Sequence, residues 1–426
     1  MINRRRFLIG SSAAAAGLII AKPQTNAGGH SQYFAQLNTL LRQQGIDKPS
    51  LLIDLDRLDR NVDRVMDSVN TATQSNYRIV VKSVPAPGLV DYIASRSGSN
   101  SAMVFHRPFI EAIARLRPQS DILLGKPLPV ASLNRFYDTP QTQFDPARQL
   151  QWLVDTPQRL NQYLELAKAR GLNLRVNLEI DVGLHRGGFT GPDALRPVLT
   201  TIAANPNHLT FSGFMGYDAH VSALPSILAN IEIRRVKARY ADCIALLNSQ
   251  FPQLARAPLT FNGAGSPTFR NYQNDTLLND ISVGSALLKP SHYDLPLLTD
   301  FEPCAYIASP LLKRHPSTGL PSLEWLSAPM TLWNANQADT LFIYGGNWLA
   351  EPVSPPGVTP ATIYQSSNQE GYYAAKGVEL AVGDFLFQRP SQSEAVLLQF
   401  GELLGIRGDR IEQRWPTLPP ESPYIA

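Results

Sequence analysis

Two cysteines, Cys243 and Cys304, are all that the 426 residues contain, which excludes a disulfide framework and a cysteine-rich metal cluster. They read as two buried thiols, and the sequence leaves open whether they bridge. Charge of one sign is equally scarce. The formal balance is +3, with 38 basic and 35 acidic residues, yet Arg4, Arg5, Arg6 and Lys22 lie in the first 27 residues, which hold no Asp or Glu. Without that stretch 34 basic groups face 35 acidic ones, so there is no electrostatic case for nucleic acid or a membrane surface. The N-terminal apolar stretch Phe7–Ile20 falls short of the roughly 20 residues a spanning helix requires. Hydrophobic residues make up 44% of the chain, which excludes disorder and suffices for one large core and a smaller second one.

What is present begins with a targeting signal. Asn3-Arg4-Arg5-Arg6-Phe7-Leu8-Ile9 leads into a small-residue apolar stretch through Ala13–Ala16 and then a polar Lys22–Ala27 run. Paired arginines before Phe-Leu resemble a twin-arginine signal, assigned here to residues 1–27, with a single anchoring helix as the alternative. The mature protein is therefore expected in the periplasm, free of stable membrane association.

After an extended segment, Ser50–Leu55, eight short apolar runs alternate with helical patterns: Arg78–Lys82, Ala102–Phe105, Asp121–Leu124, Leu150–Val154, Leu174–Ile180, Thr210–Met215, Leu259–Asn262 and Ile281–Leu288. Thr156–Ala169 and Ile227–Leu247 carry the 3.6-residue periodicity of the intervening helices. Eight repeats match an α/β fold with a closed (β/α)8 TIM-like barrel over residues 33–300, with a doubly wound open sheet as the alternative that periodicity does not separate. From residue 301 to 426, prolines punctuate short apolar stretches, and Leu311–Lys313, Met330–Trp333, Thr340–Tyr344, Asp384–Gln388 and Arg410–Gln413 read as strands of a C-terminal β domain, to which residues 50–55 contribute.

Four constellations can carry chemistry. Lys82 ends the run Ile79-Val80-Val81 and would stand at the C-terminal mouth of a barrel strand, where desolvation favours a nucleophilic amine; taken alone, it is an ordinary solvated strand end. Glu179–Phe189 has three glycines that fit a tight loop placing His185 and Arg186 at the same mouth, or an ordinary turn. Tyr217 and His220 follow the sixth run, the first suited to stacking on an aromatic cofactor and the second to acting as a base or packing as a polar group. Gly263, Gly265, Ser266 and Thr268 follow the seventh run and fit a phosphate cradle.

In this order and on these strands the pieces resemble the fold-type III pyridoxal-phosphate enzymes of the D-threonine aldolase and D-serine dehydratase family, more distantly alanine racemase. Pro49–Leu58 adds to the resemblance, which runs from about Lys48 to Pro416. It implies that Lys82 holds pyridoxal 5'-phosphate as a Schiff base and that Arg186 bonds the cofactor's phenolic oxygen. Tyr217 takes the place of a ring-contacting residue, Gly263, Gly265, Ser266 and Thr268 that of the phosphate loop, and Gly284-Ser285 that of a further cofactor-side turn. A homodimer completing each site from the partner subunit is also implied.

The departures concern metal. The family's Arg-Pro-His-x-Lys-Thr-His reads Arg78-Ile79-Val80-Val81-Lys82-Ser83-Val84, and its Pro-x-His-x-Cys or Pro-x-His-x-Asp reads Pro390-Ser391-Gln392-Ser393-Glu394. The preceding Glu-Glu-His region reads Asn368-Gln369-Glu370. Gln392 is a poor ligand for a transition metal, so no metal is expected. The leading expectation is a lyase of the aldolase or dehydratase type acting on D-amino acids or β-hydroxy-amino acids such as D-threonine or D-serine. Lys82, Tyr217 and His220 are its expected catalytic residues. An amino-acid racemase, which requires only α-proton transfer, and a non-catalytic exported binding protein are the alternatives.

Overall fold

The computed structural model describes residues 23–69, 75–139, 143–256, 258–319, 321–364, 367–394 and 396–418. Most of the expected signal, residues 1–22, lies outside the described residues. By contacts the chain divides into two units: one comprises Ile53–Ala305, Gln392–Arg407 and the residues from Ile411 on, the other the residues up to Leu52 with Tyr306–Ser391 and Gly408–Arg410.

After β1 (Ser50–Asp54), the larger unit forms eight parallel strands: β2 (Asn76–Val80), β3 (Ser101–Val104), β4 (Asp121–Leu124), β5 (Leu150–Val154), β6 (Leu174–Glu179), β7 (Leu209–Gly216), β8 (Thr260–Gly263) and β9 (Asp280–Val283). They close into a barrel, because β2 pairs with β9 in the register Arg78↔Ser282, and the open-sheet alternative is thereby excluded. Every residue of β3, β5 and β9 is buried. Burial on both faces is why these strands read as unbroken apolar runs rather than as alternation. β4 and β5 have the bounds expected from sequence, whereas Ile281–Leu288 divides: the strand stops at Val283 and Ser285–Leu288 forms one helical turn. The first outer helix, Leu55–Val69, buries Leu55, Leu58, Val62, Val65 and Val69, a stripe at helical spacing.

Polar side chains cross the barrel interior at its lower end. Arg78 is 1% exposed and binds Asp280 through Nε (2.7 Å) and Nη2 (2.9 Å), with a further Nη2 bond to Asp121 (2.7 Å). Asn262 Nδ2 also donates to Asp280, at 2.5 Å.

The smaller unit is an antiparallel sheet of β10 (Ala305–His315), β11 (Asp339–Tyr344), β12 (Ala350–Ser354), β13 (Val358–Pro360), β14 (Gln369–Ala374) and β15 (Phe385–Pro390). Its order is β13-β14-β11-β10, with β15 on β10 and β12 on β15, around a core that includes Leu341, Ile343, Tyr372 and Leu386. The strand expected at Met330–Trp333 is instead part of a helix, Ser327–Trp333. Four residues are too few for a period that separates the two states, and Pro329 fits a first helical turn. β16 (Glu402–Arg407) and β17 (Arg410–Pro416) are neighbours, and β16 belongs to the barrel unit. Both thiols are buried and free. Among the described residues no helix is long and apolar enough to cross a membrane.

Candidate active site

The C-terminal ends of five barrel strands surround one cavity of about 560 Å³, counting its opening to solvent. β2 ends at Val80, and a 3-10 turn, Val81–Ser83, swings Lys82 into the mouth. The Lys82 ammonium lies 4.7 Å from the centroid of Phe105 and 2.9 Å from Oε2 of Glu394. Its side chain is 35% exposed, so the desolvation expected at this mouth is not what holds it; a carboxylate and an aromatic face do.

Arg186 reaches the same cavity from the loop after β6. The Asp181 carboxylate organises that loop, accepting from the backbone N–H of Gly183 (2.9 Å) and His185 (3.0 Å) and meeting the His185 ring at 2.7 Å. Burial pushes Asp181 up, but these donors outweigh it and hold the carboxyl below its ordinary range. His185 has φ 55° and Gly188 φ 96°, and a Cβ on Gly188 would sit 2.9 Å from the Glu179 carbonyl oxygen. The chain therefore doubles back at once, with Phe189 N–H donating to that same carbonyl at 2.8 Å. The turn points Arg186 inward, its guanidinium 4.9 Å from the centroid of Tyr217, and leaves His185 outside at 78% exposure.

Tyr217 follows β7 and lies flat against the loop after β8. A Cβ on Gly265 would come within 2.5 Å of the Tyr217 ring, so only glycine permits this approach. Burial pushes the Tyr217 phenol up, which keeps it a neutral hydroxyl at ordinary pH. Ser266 Oγ accepts from the backbone N–H of Gly284 (3.2 Å) and Ala286 (2.9 Å), tying the β8 and β9 turns together. With both lone pairs engaged, its own hydrogen remains a donor. Ser285 Oγ lies 3.0 Å from Ser83 Oγ, which makes a small cluster of hydroxyls beside Tyr293.

Of the residues expected from sequence, Lys82, Arg186, Tyr217, Gly265, Ser266, Gly284 and Ser285 all line this cavity. Three do not. Gly263 packs against Leu278, where a Cβ would come within 2.6 Å. The Thr268 hydroxyl is fully buried and donates to Asp218 at 2.5 Å. His220 turns away to Glu232, 3.5 Å distant, and its Nδ1 is buried without a partner among the described residues. Among the lining residues not anticipated as site residues are Ser83, Phe105, Tyr293 and Glu394. Glu394 was visible in the sequence, but only as the last residue of the run set against the family's metal motif; 312 residues separate it from Lys82, and no local pattern announces such a contact.

The residues fit pyridoxal phosphate. Lys82 offers an amine for its aldehyde, and the Arg186 guanidinium has no side-chain hydrogen bond among the described residues and faces the cavity from over Tyr217. Ser266, Ser285 and the two glycine turns are donors of the kind that grips a phosphate. Among the described residues no group of three His, Cys, Asp or Glu side chains is placed to hold a metal ion.

This barrel, with a lysine and two glycine turns at its mouth, defines the class to which pyridoxal-phosphate enzymes of fold type III belong. A family model described as alanine racemase, N-terminal domain, matches residues 53–291, more than half of the chain, and the protein belongs to that family. It is 24% identical over 388 residues to 3-hydroxy-D-aspartate aldolase of Paracoccus denitrificans (strain Pd 1222), covering 87% of this chain and 92% of that protein. Among solved structures it resembles D-threonine aldolase from Filomicrobium marinum, with TM-score 0.69, 18% identity, and coverage of 87% of this chain and 95% of that one. Alanine racemase from Bacillus anthracis gives TM-score 0.64 at 12% identity, covering 87% of this chain and 97% of that one. These likenesses establish the fold that the sequence motifs implied.

Proposed function

We propose that this protein is a pyridoxal-phosphate-dependent lyase of the aldolase or dehydratase type that acts on D-amino acids carrying a β-hydroxyl. One observation carries the reading: Lys82, Arg186, Tyr217 and the turns at Gly265-Ser266 and Gly284-Ser285 converge on one cavity. The aldolase relative that spans most of the chain supports the substrate class. The chemistry the cofactor supplies when bound is electron withdrawal from the substrate's α-carbon. Lys82 Nζ is the amine that would hold its aldehyde, and once displaced by a substrate amine it is placed to carry a proton at the α-carbon. Arg186 fixes the ring's orientation through a planar, permanently charged donor set, while Ser266, Ser285 and the adjoining backbone N–H groups hold the phosphate. The expected result is a visible absorbance band in purified protein that Lys82→Ala abolishes together with turnover. Full activity in Lys82→Ala would overturn the reading.

A racemase is the second reading, favoured by the ligand-poor sequence Pro390-Ser391-Gln392-Ser393-Glu394, since α-proton transfer requires no metal. Exchange at the α-carbon with the side chain retained selects it. Under either reading no metal takes part, because Gln392 stands where the motif needs a stronger donor. Export to the periplasm through residues 1–27 and assembly as a homodimer complete the proposal. Loaded protein confined to the cytoplasm contradicts the first, and a monomer mass by light scattering contradicts the second.

A further inference from the structure

We infer that Glu394 is the general base that removes the proton from the substrate's β-hydroxyl, so that carbon–carbon cleavage proceeds at a carboxylate rather than at a metal-bound centre. The inference rests on the lyase reading and assigns it a catalytic residue. Glu394 is the one carboxylate among the described residues that line the cavity shared by Lys82, Tyr217 and the glycine turns, and no histidine lines it. It also borders both adjoining cavities, one leading past Asp155 and Glu179 and the other past His292.

The competing bases are disqualified by position or chemistry. Asp218 is fully buried and already accepts from Thr268 at 2.5 Å and Tyr272 at 2.7 Å. His220 is directed at Glu232. The Tyr217 and Tyr293 phenols are pushed up by burial, which makes them poor proton acceptors near neutrality. Glu179, Asp155 and His106 line the adjoining cavity and His292 the other one, none of them the cavity that holds Tyr217 and Ser266.

Position also favours Glu394 directly. Its two oxygens lie 2.9 and 3.1 Å from Lys82 Nζ. A substrate amine taking the place of that nitrogen would carry its β-oxygen three bonds along, a reach comparable to the Nζ–carboxylate distances. The step balances as follows. A Glu394 oxygen takes the hydroxyl proton, and the O–H electron pair becomes the second bond of a carbonyl at the β-carbon. The bond between the α- and β-carbons breaks, and its electron pair passes to the α-carbon, which then receives a proton from the Lys82 ammonium. An aldehyde and glycine leave, and no oxidant, reductant or metal enters.

The test uses the loaded protein and Glu394→Gln, which keeps the shape and removes the charge at a side chain 45% exposed. The variant is expected to keep the wild-type melting temperature and to bind pyridoxal phosphate, read from the visible band, within about twofold of wild type. Its kcat for D-threonine cleavage is expected to fall by about 10²- to 10⁴-fold, the usual share of a general base, with KM little changed. Glu394→Asp is expected to recover part of that loss, and dialysis of wild type against a chelator to leave its rate unchanged. Cleavage by Glu394→Gln within a few fold of wild type would overturn the inference, as would loss of the visible band in that variant or restoration of a chelated wild type by added manganese. If loaded wild type cleaves no β-hydroxy-amino acid at all, the lyase reading itself has failed, and the inference with it.

Discussion

Arg78 carries a permanent charge inside the barrel, 1% exposed, and that charge is tolerable only because Asp280 takes two of its hydrogen bonds and Asp121 a third. Desolvating three ionised groups is costly, and the geometry recovers the cost only while all three are present. Arg78→Met would leave Asp280 buried without its counter-charge, with Asn262 as its remaining donor, and we expect a loss of about 3–5 kcal/mol in chemical denaturation. A loss below about 1 kcal/mol would show that the pair is merely decorative. Arg78 stands four residues before Lys82, yet its side chain binds Asp280 inside the barrel, while the strand's end at Val80 and the turn Val81–Ser83 carry the lysine to the mouth.

At the scale of elements, local chemistry set the boundaries wherever it was complete. The helix Pro157–Arg170 has a Thr156 hydroxyl accepting from Arg159 N–H at 3.2 Å, proline at its first position, and Gly171 in the left-handed region at its end. Its sequence-expected span, Thr156–Ala169, differs by one residue at each end. Thr156→Ala is expected to lower stability by about 1 kcal/mol through the exposed N–H it leaves, with no effect on cofactor absorbance; equal melting temperatures would contradict it. Where signals were incomplete, the element changed type. Met330–Trp333 lacked both the alternation of a strand and the length of a helix, and it lies at the end of the helix Ser327–Trp333. The cavity was legible to the extent that each strand end carried its own residue, as Lys82, Arg186 and Tyr217 do. His220 and Thr268 were misplaced because proximity in sequence to Tyr217 or Gly265 says nothing about which side of a turn a side chain takes.

Across the whole molecule, acid sensitivity has an identifiable source. Arg60 donates to Glu302 at 2.8 and 2.7 Å and, against the upward push of partial burial, holds its carboxyl at about 2, with Arg64 assisting. A carboxyl lowered in the folded state stabilises fully above its unfolded value of 4.5 and loses that contribution as pH falls toward 2. The melting-temperature gap between wild type and Glu302→Gln is therefore expected to close over that interval. A gap independent of pH would refute the assignment. This contact links the first outer helix to the segment just beyond the barrel, a pairing 242 residues long in sequence, which no local pattern encodes. Glu394 was hidden for the same reason.

Closure of the ring has a consequence in time. Lys82 follows the first barrel strand and Ser285 the last, and the two flank one cavity only once β2 has paired with β9. A chain still emerging from the ribosome has half a cradle and nothing opposite it. Capture of the cofactor thus belongs to the finished polypeptide, and the arrival of the vitamin-derived group reports that synthesis of the barrel is complete.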